Sequence, residues 1–135
     1  MPFVLDCSMT MAWVFADEAT ASTEALRESL LSESAVVPGL WPVEVGNVLL
    51  VALRRGRITE KDRARIRDDL LALPIDIEPV SCERVWGAVL RVANQRNLSV
   101  YDAMYLELAL RLKLPLATLD KTLAAAGRAA GVEAI

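Results

Sequence analysis

The chain has 135 residues, 54% of them hydrophobic, which is enough for one packed domain and too apolar for disorder. A net charge of −3 and an isoelectric point near 5.0 argue against binding nucleic acid over the whole surface. Histidine is absent, which excludes Ser-His and Cys-His catalysis and any imidazole metal ligand.

Cys7 and Cys82 lie far apart with no CxxC spacing, so both read as reduced thiols rather than a zinc site or a disulfide. The N-terminal "MPFVLD" reaches an acid at Asp6 with no basic segment before it, so no signal peptide is expected. Every apolar stretch is broken by Pro, Glu, Arg or Lys before it could span a bilayer. The expectation is a cytoplasmic protein with no membrane partner.

In chain order, "FVLD" reads as a short buried strand, Phe3 to Asp6, and Ser8 as the N-cap of a helix through "SMTMAWVF". A second helix is expected from about Thr20 to Leu31, and "AVVP" is a β-branched strand. Pro42 suits the first turn of a helix whose Val45, Val48, Leu49, Ala52 and Leu53 repeat as a buried face, with Gly56 at its end. Thr59 to Asp62 resembles a capping box opening a helix to about Leu73, where Pro74 stops it. "IDIEPV" holds a weak strand, and Ser81 to Gln95 is helical. Ser99 opens a helix through Leu112 that is apolar on most sides, "LPLAT" is a strand, Lys121 to Ala130 a small-residue helix, and "VEAI" a possible closing strand. Short apolar strands separated by helices predict an α/β fold with a parallel sheet covered on both faces, in one domain spanning 1–135.

Four acids share one setting. Asp6, Glu44, Asp102 and Asp120 each fall just after a strand or loop, at the start of a helix. That is the place for a helix-capping carboxylate, and each acid taken alone fits that structural role. It is also the edge of an open α/β sheet at which ligands bind. Carboxylates gathered there would repel one another unless a cation held them ionised. With no histidine, an all-oxygen site points to Mg²⁺ or Mn²⁺. Ser8 and Thr118 add hydroxyls at the same edge.

"FVLDCSMTMAW", "LWPVEVGNVLLVAL" and "LSVYDAMYLELALRLKLPLATLDKTLAAA" together resemble PIN domains, most closely the VapC-type toxins of type II toxin–antitoxin pairs. The resemblance covers essentially the whole chain. It implies a three-layer α/β/α sandwich with a short central parallel sheet. It also implies a Mg²⁺- or Mn²⁺-dependent ribonuclease whose metal-binding and catalytic acids are Asp6, Glu44, Asp102 and Asp120, supported by Ser8 and Thr118. A cognate VapB-type antitoxin and a homodimer are implied as partners.

"LRRGRITEKDRARIR" is a basic segment in an acidic chain. It reads either as a solvated helix face or as a run of phosphate contacts, with Arg54, Arg55 and Arg57 as candidates for RNA. Trp13 and Trp41 are equally compatible with the core and with an antitoxin groove, whereas Trp86 is expected in the core. Two alternatives stay open: a non-catalytic PIN-fold binding module, and a Mg²⁺-dependent phosphatase or receiver-like protein using Asp6 as a covalent site. The second fits less well, because Ser8 stands where a dehalogenase-like protein has another Asp.

Overall fold

The computed structural model describes residues 1–135. Strands β1 (Phe3–Leu5), β2 (Ala35–Pro38), β3 (Ile75–Glu78) and β4 (Leu116–Ala117) form one sheet in the order β3-β2-β1-β4, and every pair is parallel. The register sets Val4 opposite both Val36 and Leu116. All residues of β1, β2 and β4 are buried, because both faces of the sheet are covered by helices.

The chain builds outward from β1 to β2 and β3, then returns to lay β4 on the other side of β1. Helix α1 (Cys7–Val14) packs against both α2 (Ala21–Ser29) and α3 (Trp41–Arg54), and α3 against α4 (Glu60–Leu71). Helix α7 (Val100–Leu112) packs against β1, β2 and β4, with α6 (Leu90–Arg96) and α8 (Lys121–Ala129) beside it. Val4, Leu5, Val37, Leu106 and Leu116 are sealed between these layers. Each such side chain contributes roughly 1.5–3 kcal/mol relative to exposure. The expected α/β/α sandwich is therefore present, and α1 and α7 are its most buried helices.

Local chemistry explains the helix starts. Thr59 and Asp62 form a full capping box on α4, and Thr20 and Thr23 form another on α2. Gly56, at φ +71°, ends α3 as expected. Helix α3 begins at Trp41, with Pro42 in its first turn. Along it Val45, Leu49 and Ala52 are buried, while Val48 and Leu53 are only partly so. The segment "VEAI" is less than a strand. It runs parallel to β4 through a single bridge, Leu116 to Ala134, with the Leu116 N–H donating to Glu133 O and the Thr118 N–H to Ile135 O.

Two expectations change in the helix predicted over Ser81 to Gln95. It is α5 (Cys82–Arg84), then a π-helical turn over Val85–Val89, then α6. Its inward stripe is Val85, Val89, Val92 and Ala93. Trp86 lies about 100° around from that stripe and is 71% exposed, so it is not part of the core. Arg84, at the head of the π turn, donates to Glu107 Oε1 of α7 at 2.9 Å, and Arg111 Nε donates to the same oxygen at 3.0 Å. Glu107 is only 6% exposed, so these two guanidinium groups provide the charge compensation that its burial requires. Glu107→Ala should cost about 1.5–3 kcal/mol, the scale of hydrogen bonds to charged groups. It should appear as a lower urea midpoint at unchanged m-value.

Candidate functional site: four carboxylates at the switch point of the sheet

The strand order reverses between β1 and β4, and a crevice forms outside the carboxyl ends of strands at such a point. Asp6 follows β1, and Asp120 lies three residues past β4. The ends of the two strands are joined here, with the Asp6 N–H donating to Ala117 O at 3.1 Å.

Asp6 is 4% exposed, and its carboxylate is held from three directions. The Met9 N–H donates to Oδ1 at 3.0 Å, so Asp6 caps α1. Ser8 donates to the same oxygen at 2.8 Å, and the Thr118 hydroxyl donates to Oδ2. Both hydroxyls also tie down the far side of the crevice, since Ser8 accepts from the Leu119 N–H at 2.9 Å and Thr118 from the Asp120 N–H at 3.0 Å. Asp120 in turn caps α8 by accepting from the Leu123 N–H. The capping role and the cluster role thus coexist in the same residues.

Glu44 and Asp102 face this pair from the first turns of α3 and α7. The start of α3 is fixed by a buried relay in which Trp41 Nε1 donates to Thr10 Oγ1 at 2.9 Å and Thr10 donates to Asp6 O at 2.8 Å. Glu44 Oε1 accepts from the phenol of Tyr105. Ser99 caps α7 by accepting from the Asp102 N–H, but no backbone N–H donates to the Asp102 carboxylate, which is the least restrained of the four.

Burial raises the pKa of Asp6, Glu44 and Asp102 above the ordinary carboxylate range. Their mutual repulsion adds to it: Asp120 acts on Asp6, Asp102 and Asp6 act on Glu44, and Asp120 and Asp6 act on Asp102. Hydrogen bonds from Thr118, Tyr105 and Ser99 offset part of the rise. Cys7 sits beside the cluster, where burial and the Glu44 and Asp6 charges push its thiol up to about 12, so it remains a neutral thiol. No three of these acidic or thiol groups close into a complete ligand shell. The donors are all hard oxygens, few and spaced apart, which suits a small divalent cation that retains several of its own waters.

The family profile described as PIN domain matches residues 3–129. The chain belongs to the PIN-domain family. Ribonuclease VapC1 of Mycobacterium tuberculosis is 36% identical over 110 residues, covering 78% of this chain and 77% of the relative. PAE2754 of Pyrobaculum aerophilum superposes with a TM-score of 0.73 at 25% identity, over 99% of this chain and 83% of the other. VapBC2 of Rickettsia felis, a complex bound to a DNA fragment from its promoter, gives a TM-score of 0.68 at 13% identity over 100% and 98%.

The remaining candidates lie elsewhere on this PIN domain. Arg54 and Arg55 stand at the far end of α3, roughly 15 Å along the axis from Glu44 at 1.5 Å per residue. Arg57 is already engaged, its guanidinium 3.7 Å above the Phe15 ring and donating to Asp17 Oδ1 at 2.8 Å and Glu18 Oε2 at 3.1 Å. Trp41 is a core residue through its bond to Thr10. Trp13 is buried, with Nε1 donating to Thr23 O at 2.8 Å, and it floors a groove of about 200 Å³ between α1, α2 and α4. Sequence reasoning overlooked Tyr105 and Thr10. Tyr105 follows Asp102 by three positions, a helical spacing that places both on neighbouring faces of α7. The link from Thr10 to Trp41 has no local sequence signature.

The raised pKa values fix a sign. A carboxylate whose pKa is higher folded than unfolded holds its proton more tightly in the fold. Stability is therefore lost as pH climbs from the unfolded value of 3.8 through the folded one. Asp102→Asn should raise the melting midpoint in EDTA at pH 8, and this gain should shrink towards pH 4. Paired thermal melts of the variant and the wild type at the two pH values check it.

Proposed function

We propose that this chain is a divalent-metal-dependent endoribonuclease of the VapC type, acting as a toxin and restrained by a cognate VapB-type antitoxin. What supports this reading is that Asp6, Glu44, Asp102 and Asp120 lie near enough at this edge of the sheet for their charges to act on one another, in a chain 36% identical over 110 residues to ribonuclease VapC1. Mg²⁺ or Mn²⁺ held by these carboxylates supplies Lewis acidity and relieves the repulsion between the acids and a phosphodiester.

The chain's own groups divide the remaining work. Asp6 is the anchor, kept in place by Met9, Ser8 and Thr118. Glu44 approaches from α3. Asp102 is the better of the two exposed-side acids for taking a proton from the attacking water. It is half-buried with a raised pKa, and only Ser99 relieves it, whereas Asp120 Oδ1 is engaged with the Leu123 N–H. Arg54 and Arg55, both exposed at the far end of α3, are placed to contact RNA phosphates away from the scissile bond.

The covalent phospho-aspartate alternative is disfavoured by Asp6 itself. A carboxylate 4% exposed, with both oxygens accepting hydrogen bonds, is poorly presented for in-line attack on phosphorus. For the antitoxin, the groove over Trp13 offers an apolar floor of Ile66, Leu70 and Leu73, with Arg27 and Arg65 at its rim. An amphipathic peptide helix fits such a groove. A homodimer forms part of the same family-based reading.

The test is cleavage of a mixed panel of structured and single-stranded RNAs with Mg²⁺, with Mn²⁺ and with EDTA. Cleavage should require metal and should fall about 100-fold or more in Asp6→Asn and Asp102→Asn, the scale expected when a group acting directly in the chemistry is lost. An Asp6→Asn protein that cuts at the wild-type rate would overturn the assignment. Arg54→Ala/Arg55→Ala should leave the metal requirement intact while weakening RNA binding and flattening its salt dependence, read by fluorescence anisotropy.

A further inference from the structure

The structure assigns Tyr105 as a positioning residue that presents Glu44 to the cation through a single oxygen. This rests on the metal-dependent reading above and concerns how one ligand is held. Glu44 is the only site acid on α3, and it faces the like charges of Asp102 and Asp6. Left alone, its flexible side chain would turn outward to water, since a Glu loses substantial rotamer entropy when ordered. Two contacts prevent this. The Trp41–Thr10–Asp6 relay fixes the backbone of the first turn of α3, leaving only side-chain torsions free. The Tyr105 phenol then fixes those torsions by donating to Glu44 Oε1.

No other protein group donates to the Glu44 carboxylate, so Oε2 is left without a protein donor and available to a cation. Tyr105 is 2% exposed and sits on the rigid, buried α7, three residues beyond Asp102. One helix thus carries an acid of the site and also the group that sets the acid opposite. Outer groups of this kind orient metal ligands, and their loss typically costs 10–100-fold in metal affinity.

The experiment is Mn²⁺ binding to the purified full chain, followed by the electron paramagnetic resonance signal of free Mn²⁺, with no RNA present. The wild type is compared with Tyr105→Phe, Glu44→Gln and the double variant. Tyr105→Phe should weaken Mn²⁺ binding about 10-fold or more while leaving the helical circular dichroism signal unchanged. The double variant should bind no more weakly than Glu44→Gln alone, because Tyr105 acts only through Glu44.

Wild-type affinity in Tyr105→Phe, or an equal loss in the Glu44→Gln background, overturns the assignment while leaving the metal site standing. A wild-type chain that binds no Mn²⁺ overturns both. Should Tyr105→Phe fail to fold, Tyr101→Phe leaves Tyr105 as the sole tyrosine. A shift of its ultraviolet band on adding Mg²⁺ that disappears with Glu44→Gln then supports the contact, and no shift overturns it.

Discussion

The architecture at this edge depends on one ionisable group kept almost out of water. Asp6 is nearly sealed, yet its value to a cation lies in its charge. Burial alone would neutralise it, and what opposes this is a set of aimed donors: one backbone N–H at a helix start and two hydroxyls from opposite sides of the strand junction. Those donors are themselves held by the backbone of the β4–α8 loop. The end of β1, the start of α1 and the approach to α8 therefore form one hydrogen-bonded unit, and the carboxylate is its centre.

This arrangement shows that the capping role does not compete with the role proposed for the acids. Asp6 caps α1 and Asp120 caps α8, so each satisfies helix donors that otherwise lack partners. Capping is also what brings a carboxylate to the end of a strand in a fixed orientation. The structural role would supply the preorganisation that the proposed cation site requires. Asp102 differs because Ser99 takes the capping duty on α7, leaving the Asp102 carboxylate with Ser99 as its one hydrogen-bond partner. The strain of the cluster falls there with the least relief.

Much of this was legible in the sequence because it is local. Strand ends, capping residues and the spacing of acids are written in short windows, and the parallel sheet follows from apolar runs without alternation. What was not legible depends on contacts across the fold. Trp86 reads as core by its apolar bulk, but the inward stripe of its helix runs through Val85 and Val89 instead. Arg57 belongs to a basic run, yet Asp17 and Glu18, some forty positions earlier, engage it. Tyr105 is an ordinary aromatic in an apolar helix until α3 brings Glu44 to meet its hydroxyl.

The π turn at Val85–Val89 has a consequence for how this chain can vary. A π turn accommodates one residue more than an α turn, so the segments on either side keep their facing. Before it, Arg84 still reaches Glu107; after it, Val89 and Ala93 still pack inward. The extra residue is absorbed within a single turn, and Trp86 is turned to solvent. A change of one residue in length can thus be taken up within this turn while Arg84 and Val89 keep their contacts with α7. The opposite layer has no such slack: an inserted residue between Thr10 and Trp13 would rotate the rest of α1 by about 100° and part Trp13 from Thr23.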